Sequence, residues 1–199
     1  WQCTTRRVGA VRRLEAKDQP REWCCGNGVM SRRLAPLAGA VEAVDCSAHL
    51  IAHAQERSQR SNVRYVCADV HAYLQELGES RRFLPGKILL GDALAYFEPV
   101  TFRSMLQQLF RLTGGPFVLL ATGVPCAELK WNFYDTPARK NRYVDRHLQG
   151  ENTNDGLGRW WTKNELATAA KDLPINATLL EQPVTLSSYR VDVLYESHP

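Results

Sequence analysis

The chain has 199 residues, a length typical of one domain, with 44% hydrophobic residues, 23% charged residues and a formal net charge of +4. These ordinary globular values exclude a collagen-like, fully disordered or heptad-repeat chain. No apolar run approaches the roughly 18 residues of a membrane span. We therefore expect a single domain over residues 1–199 that has no membrane partner.

The cysteine pattern favours free thiols over a disulfide framework. The six cysteines are scattered, apart from the adjacent Cys24 and Cys25, and no C-x-x-C pair occurs. His49 and His53 have a spacing compatible with zinc but no third ligand nearby, so we expect no metal site. The first residues lack a Met and lack an apolar stretch after their charges, so we expect a trimmed fragment, no secretory signal and a cytoplasmic location.

Positive charge is concentrated near the start of the chain. Residues 1–33 carry eight basic and three acidic side chains, and we predict a basic helix within residues 1–19. A basic segment can attract phosphate groups, which keeps RNA as an alternative partner. A solvated helix face is the simpler interpretation.

Short apolar runs alternate with amphipathic stretches through the first 121 residues. The runs predict strands at 21–25, 40–44, 63–67, 87–90 and 116–121. Ser47 is placed to cap one helix, residues 70–77 form a second, and a third begins at Pro99 and ends at Gly114. Strands that alternate with helices indicate βαβ units and a mostly parallel sheet.

The last third of the chain has a different pattern. Residues 123–161 contain no clear strand and hold six of the eighteen aromatic residues, and we predict that they form a lid over an acceptor site. Thr162 and Glu165 form a capping-box pattern for a helix that runs to about Asp172. Strands at 177–181 and 189–196 follow with no helix between them. The predicted fold is α/β, with a mostly parallel seven-stranded sheet and a C-terminal antiparallel hairpin.

Polar residues follow the first three predicted strands, where open α/β sheets bind ligands. Gly26 and Gly28 allow a tight turn after the first strand. Asp45 ends the second strand, where a carboxylate can accept hydrogen bonds from ribose hydroxyls, and Asp69 follows the third. Taken singly, each aspartate is better explained as a helix cap. Their placement at neighbouring strand ends favours a nucleotide site.

Four sequence runs carry a family resemblance. They are E-W-C-C-G-N-G at 22–28, A-V-D-C-S at 43–47, A-D-V at 68–70 and L-L-G-D-A-L-A-Y-F at 89–97. They resemble the motifs of the class I S-adenosylmethionine-dependent methyltransferases, and the match extends over nearly the whole chain. The resemblance implies a Rossmann-like fold with helices on both faces of the sheet, S-adenosylmethionine as cofactor and S-adenosylhomocysteine as product. It assigns these residues to the cofactor: Glu22, Cys24, Gly26, Asn27, Gly28, Asp45, Cys46, Ser47, Asp69, Val70, Gly91, Asp92 and Ala93.

Methyl transfer requires an aligned nucleophile and, for a hydroxyl acceptor, a base. His147 is the first candidate base because the resemblance places it where the family often builds the acceptor pocket; Asp92, beside the methyl donor, is the second. A surface or packing role is the alternative for His147. The predicted acceptor-binding residues are Tyr96, Trp131, Tyr134, Arg139, Tyr143, His147 and Trp160.

Three arginines in the same segment bear on the charge of the acceptor. If this stretch is helical, Arg139, Arg142 and Arg146 share one helix face. They then hold an anionic acceptor or form a solvated face, and the sequence favours neither interpretation.

We predict methyl transfer to a small-molecule acceptor, at a hydroxyl oxygen. No N-P-P-Y-type tetrapeptide follows the fourth strand, which disfavours methylation of the amino group of adenine bases. No RNA-binding module is appended either. An RNA methyltransferase that uses the basic N-terminal residues is one alternative. The other is a non-catalytic binding or scaffold protein of the same fold. It is favoured by Cys24 and Gly86, which replace residues typical of the family, and by the short segment before the first strand. The oligomeric state stays open.

Overall fold

The computed structural model describes residues 14–80, 84, 86–151 and 155–197. Its strands are β1 (Arg21–Trp23), β2 (Val41–Asp45), β3 (Val63–Cys67), β4 (Lys87–Gly91), β5 (Val118–Pro125), β6 (Ile175–Glu181) and β7 (Arg190–Ser197). Its helices are α1 (Val29–Leu34), α2 (Ala48–Arg57), α3 (Val70–Glu79), α4 (Pro99–Thr113), α5 (Lys130–Phe133), α6 (Pro137–Leu148) and α7 (Lys163–Thr168). No helix in the described ranges has the length and apolar character needed to cross a bilayer.

The strands form one sheet in the order β3-β2-β1-β4-β5-β7-β6. The first five strands along the chain are parallel, and β7 is antiparallel to both β5 and β6. This arrangement confirms the predicted fold. The strand order reverses between β1 and β4, and such a reversal opens a crevice at the carboxyl ends of the two strands.

Helix caps lie where the sequence predicts them. The Ser47 hydroxyl accepts a hydrogen bond from the Leu50 N–H at the start of α2, and Thr162 and Glu165 form a complete capping box at the start of α7. Gly114 ends α4 with a φ of 60°. Helix α7 stops at Thr168, before the predicted end, because the chain turns there towards β6.

Alternate residues of the central strands bury two apolar layers, one on each face of the sheet. The larger layer contains Trp23, Phe102, Trp161 and Tyr195. The smaller layer lies on the opposite face and is built around Leu34 of α1. The strands β4, β5 and β7 each contribute one leucine to it: Leu89, Leu120 and Leu194. Trp161 is fully buried and its indole N–H donates to the Leu94 carbonyl, so this aromatic residue of the predicted lid belongs to the core.

Two predictions about segment boundaries are wrong. Strand β5 continues to Pro125, because β7 pairs with it as far as Arg190, so the segment predicted to lack strands starts inside a strand. Residues 14–19 contain a turn and no helix, because the Asp18 carboxylate accepts the Glu15 N–H and pairs with Lys87. The remainder of the predicted basic helix, residues 1–13, lies outside the described residues.

Candidate active site at the β1–β4 crevice

A tight turn after β1 exposes its backbone to the crevice. Cys24, Gly26 and Gly28 all have positive φ angles, of 56°, 55° and 71°. The Cys25 N–H donates to the Val44 carbonyl, which ties the turn to β2. A Cβ added at Gly26 would meet no atom within 4 Å, so open space lies above this residue, where a ligand can approach the backbone.

Asp45 links this turn to the end of β2. Its Oδ2 accepts the Gly26 N–H at 2.8 Å and its Oδ1 accepts the Ser47 N–H at 2.9 Å. Each carboxylate oxygen can accept a second hydrogen bond, as two ribose hydroxyls would require. Since Ser47 caps α2, the helix-cap interpretation does not apply to Asp45.

Asp69 differs from Asp45 in its local role. Its Oδ1 accepts the N–H groups of His71 and Ala72 at 2.9 and 3.2 Å, and it is the N-cap of α3. The capping alternative therefore describes Asp69 correctly. A contact with an adenine amine stays a prediction.

Glu22 is a buried carboxyl group at the floor of the crevice. It is 3% exposed and accepts a short hydrogen bond from the Ser31 hydroxyl of α1. Burial raises the pKa of Glu22 to about 7, although the Ser31 hydrogen bond opposes this rise. A partly protonated Glu22 near neutral pH can therefore both accept and donate hydrogen bonds.

A first cavity of about 160 Å³, here called the donor cavity, occupies the crevice. Its lining residues are Glu22, Cys24, Cys25, Gly26, Asn27, Val29, Met30, Gly91, Asp92 and Thr122. Six of them are predicted cofactor residues, namely Glu22, Cys24, Gly26, Asn27, Gly91 and Asp92. The other predicted ones lie outside this lining: Gly28, Asp45, Cys46, Ser47, Asp69, Val70 and Ala93. Val70 and Ala93 are buried in the larger apolar layer, where they pack against other side chains.

The thiol of Cys24 is in the donor cavity wall and also packs against the larger apolar layer. Burial raises the pKa of Cys24 to about 12, and the charges of Asp45 and Asp69 add to this effect. The side chain is therefore a neutral thiol at physiological pH. The side chain therefore contributes bulk to the wall of the donor cavity but contributes no charge.

A second cavity of about 310 Å³, here called the acceptor cavity, adjoins the first. It is lined by Asp92, Thr122, Gly123, Gln182, Leu186, Ser187, Tyr189 and Arg190. Asp92 and Thr122 line both cavities, so they form the boundary between them. The cavity exists because β7 runs antiparallel and therefore begins at the edge where β4 and β5 end.

Asp92 occupies this boundary in an unusual backbone conformation, with a φ of 53°. Its N–H donates to the Thr122 carbonyl at 3.0 Å, and its Oδ1 accepts from Arg190 Nη1 at 2.7 Å. Burial raises the pKa of Asp92, while the Arg190 charge acts in the opposite direction and the Asp192 charge adds to the rise. Of the two predicted bases, Asp92 is the one at the boundary of the two cavities.

The predicted acceptor-binding aromatics cluster beside the acceptor cavity. Rings of Trp131, Tyr134, Tyr143 and Trp160 contact one another directly or through Phe133. The cluster reaches the cavity through Tyr189, which packs on Phe133 and Trp160. Among the described residues, none of the seven predicted acceptor-binding side chains lines either cavity, and Tyr96 is 74% exposed.

His147 and the three arginines lie on α6, at the surface. The exposed His147 ring stacks on Tyr143 outside both cavities, so its geometry supports the surface and packing alternative. Residues 139–146 lie within helix α6, so the condition for a shared helix face is met. Arg139 pairs with Asp135, and Arg146 pairs with Glu151 and Asp155, so these two cations already have carboxylate partners. This geometry favours a solvated face over an anion-binding site.

Five acceptor cavity residues that the sequence did not identify come from the β6–β7 hairpin: Gln182, Leu186, Ser187, Tyr189 and Arg190. Thr122 and Gly123 of β5 were also missed. No local motif distinguishes them. In the donor cavity, Cys25, Val29, Met30 and Thr122 were also missed, and they have the character of ordinary helix or strand residues. Only the antiparallel placement of β7 could have indicated the hairpin as part of the site.

Comparisons with known proteins show a similarity to methyltransferases in part of the sequence and in the fold. Residues 22–114 match the model of a family described as a methyltransferase domain. No curated protein sequence matches the chain. This match bears out the resemblance to methyltransferases over residues 22–114, and the solved structures described next share the fold of the whole chain.

Three solved structures illustrate the similarity. Magnesium protoporphyrin IX methyltransferase from Synechocystis PCC 6803 with bound SAH has a TM-score of 0.69 at 15% identity, over 98% of this chain and 81% of that one. The N-methyltransferase NodS from Bradyrhizobium japonicum WM9 has a TM-score of 0.64 at 13% identity, over 100% and 94%. An rRNA methylase from Streptococcus thermophilus has a TM-score of 0.52 at 13% identity, over 99% and 95%. At these identities the likeness establishes the fold.

Proposed function

We propose that this protein transfers a methyl group from S-adenosylmethionine to a small-molecule acceptor, at a hydroxyl oxygen. The observation that carries the proposal is the pair of adjoining cavities that share Asp92 and Thr122. Such a pair suits a reaction between a donor and an acceptor held side by side. The similarity to solved structures of methyltransferases, one of them with bound SAH, supports the same reaction class.

The residues of the crevice fit the proposed cofactor. The open space above Gly26 allows backbone contact, and the Asp45 carboxylate has capacity for two hydroxyl groups. The neutral Cys24 thiol occupies the place of a family glycine and lines the donor cavity without closing it. When bound, S-adenosylmethionine supplies an electrophilic methyl group on a sulfonium centre.

Asp92 is the proposed base. Its Oδ1 accepts a hydrogen bond from Arg190, which leaves Oδ2 to accept the proton of the acceptor hydroxyl. The carboxyl group then releases that proton to water. The raised pKa of Asp92 makes it a stronger base than an ordinary carboxylate, and the Arg190 ion pair fixes its orientation. The walls of the two cavities keep the acceptor oxygen in line with the methyl group.

An RNA substrate is the second candidate, and the similarity to the rRNA methylase favours it. The acceptor cavity argues for a small molecule, because Arg190 is its one cation among the described residues and already pairs with Asp92. Steeply salt-dependent RNA binding would support the RNA alternative instead.

Thermal unfolding tests the proposed cofactor. At a hundred times its dissociation constant a ligand adds about 2.7 kcal/mol of stability, which for this chain length raises Tm by roughly 5–11 °C. We expect that rise with S-adenosylmethionine and S-adenosylhomocysteine and none with NAD. Asp45→Asn should reduce this rise in Tm, whereas Asp135→Asn, at an exposed position in the predicted lid, should leave it unchanged. No rise at millimolar cofactor would reject the methyltransferase proposal and favour a non-catalytic scaffold.

A further inference from the structure

A buried carboxylate stands behind the acceptor cavity without lining it. Asp192 of β7 is 2% exposed and faces an irregularity in β5. Ala121 pairs with Val193 and Val124 pairs with Val191, so two residues of β5 oppose the single residue Asp192. This is the pattern of a β-bulge, which re-aims nearby side chains and leaves a backbone group without its ladder partner.

Asp192 satisfies the backbone group that the bulge releases. Its Oδ1 accepts the Gly123 N–H at 3.0 Å, and the same oxygen accepts from the side-chain amide of Gln182. Gly123 has a φ of +70°, a conformation that other residues rarely adopt. Asp192 therefore holds a turn of β5 that requires glycine in place, and ties it to the hairpin side of the acceptor cavity.

The bulge in turn fixes Asp92. The Asp92 N–H donates to the carbonyl of Thr122, the first bulge residue. At the second bulge residue, a Cβ added to Gly123 would collide with the Asp92 carboxylate and would lie 3.3 Å from Arg190 Nη1. Asp92 is thus packed directly against the turn that Asp192 holds.

The charges that face Asp92 come mainly from β7. Arg190 favours the ionised carboxylate and Asp192 disfavours it, while β5 presents the uncharged Thr122 and Gly123. Glu22 of β1 lies in the same donor cavity wall as Asp92. Asp192 therefore acts on Asp92 in two ways. Its hydrogen bond to the bulge holds the backbone that Asp92 packs against, and its charge disfavours the ionised form of Asp92.

We infer that Asp192 is a positioning residue for the methyl transfer: it pins the β5 bulge and thereby holds Asp92 between the donor and acceptor cavities. The inference rests on the proposed function, in which Asp92 takes the proton of the acceptor. Asp192 itself lines neither cavity and touches no reactant.

The test uses the full chain with Asp192→Asn, which keeps the shape of the side chain and removes its charge. Ser197→Ala is the matched control, because the buried Ser197 hydroxyl of β7 accepts the Phe117 N–H next to β5, at the other end of the strand. The titration of the Asp92 carboxyl carbon is followed by NMR and assigned with Asp92→Asn. We expect the pKa of Asp92 to fall in Asp192→Asn and to stay unchanged in Ser197→Ala. An unchanged Asp92 titration in folded Asp192→Asn overturns the inference.

Gln182→Met provides a second variant in case Asp192→Asn does not fold. It removes an amide donor and leaves the Asp192 charge less compensated, so the pKa of Asp92 should rise. A fall or no change contradicts the inference.

Turnover provides a readout that a structural role alone would not produce. With an acceptor found by screening hydroxyl compounds, Asp192→Asn should lower kcat on the order of 10- to 100-fold and change KM for S-adenosylmethionine less than about twofold. Equal losses in kcat and cofactor binding would overturn the positioning role. The NMR titration decides the link between Asp192 and Asp92 without any acceptor, so it remains informative if the proposed function fails.

Discussion

Asp92 Oδ1 lies 2.7 Å from Arg190 Nη1, an ion pair between residues 98 positions apart in the chain. Asp92 directly follows β4 and Arg190 begins β7. The end of β4 and the start of β7 meet at this edge because the two strands run in opposite directions on either side of β5. The pair stands at the boundary of the donor and acceptor cavities. Asp92 belongs to one of the sequence runs that carry the family resemblance, whereas Arg190 belongs to none of them.

Replacement of Arg190 tests the role of this ion pair. The Arg190 charge and hydrogen bond both lower the pKa of Asp92, so Arg190→Gln should raise it. If Asp92 is the base, the acidic limb of the kcat profile should move to higher pH by the same amount. NMR titration of Asp92 measures the first effect, with Arg139→Gln on the exposed helix α6 as control. A titration equal to that of the unmodified protein would show that the ion pair does not govern Asp92.

Glu22 should give the protein a pH-dependent stability. Its pKa is raised from 4.5 in the unfolded chain to about 7 in the fold, so the folded state binds more protons between these values. Stability should therefore fall as pH rises from about 4.5 to 7 and level off above that range. Urea unfolding of Glu22→Gln should lose this dependence. Ser31→Ala should extend the dependence to higher pH, because the Ser31 hydrogen bond favours the charged form. An identical pH profile for Glu22→Gln would contradict the assignment.

Gly26→Ala should weaken cofactor binding more than it weakens the fold. The positive φ makes the substitution strained, at a cost of about 1 kcal/mol, and the new methyl group projects into the open space above the turn. We expect at least about a tenfold loss of affinity for S-adenosylhomocysteine, measured by calorimetry. Gly114→Ala, with a φ of 60° at the end of α4, imposes a similar strain away from the site and should bind normally. Equal affinities of the two variants would argue against a cofactor site at this turn.

Thr162→Ala should destabilise the fold without affecting the site. Loss of the capping box at α7 should lower the free energy of unfolding by about 1 kcal/mol, which corresponds to a fall in Tm of roughly 2–4 °C. Binding of S-adenosylhomocysteine should stay unchanged, because Thr162 lines neither cavity. Thermal scans with and without ligand separate the two effects, and a ligand-induced shift smaller than that of the unmodified protein would place α7 in contact with the site.

The sequence predicted the features whose signals are local. Apolar runs located all seven strands to within a few residues, and Ser47 and Thr162 marked two helix starts correctly. The turn at Gly26 and the carboxylate at Asp45 were also recognisable, because each follows directly from the end of a strand. The interpretation of Asp69 as either a cap or a ligand could not be decided from spacing alone.

The acceptor side of the site was decided by the tertiary structure. The sequence predicted that a lid around His147 forms the acceptor site. In the structure the acceptor cavity is lined by Tyr189, Arg190 and Gln182 of the hairpin. The bulge at Gly123 and its hydrogen bond to Asp192 join residues 69 positions apart. Such contacts depend on which strand lies next to which and in what direction. The sequence by itself determined the elements and the turn of the donor cavity, since these arise from neighbouring residues, and the order of the strands determined which side chains complete the site.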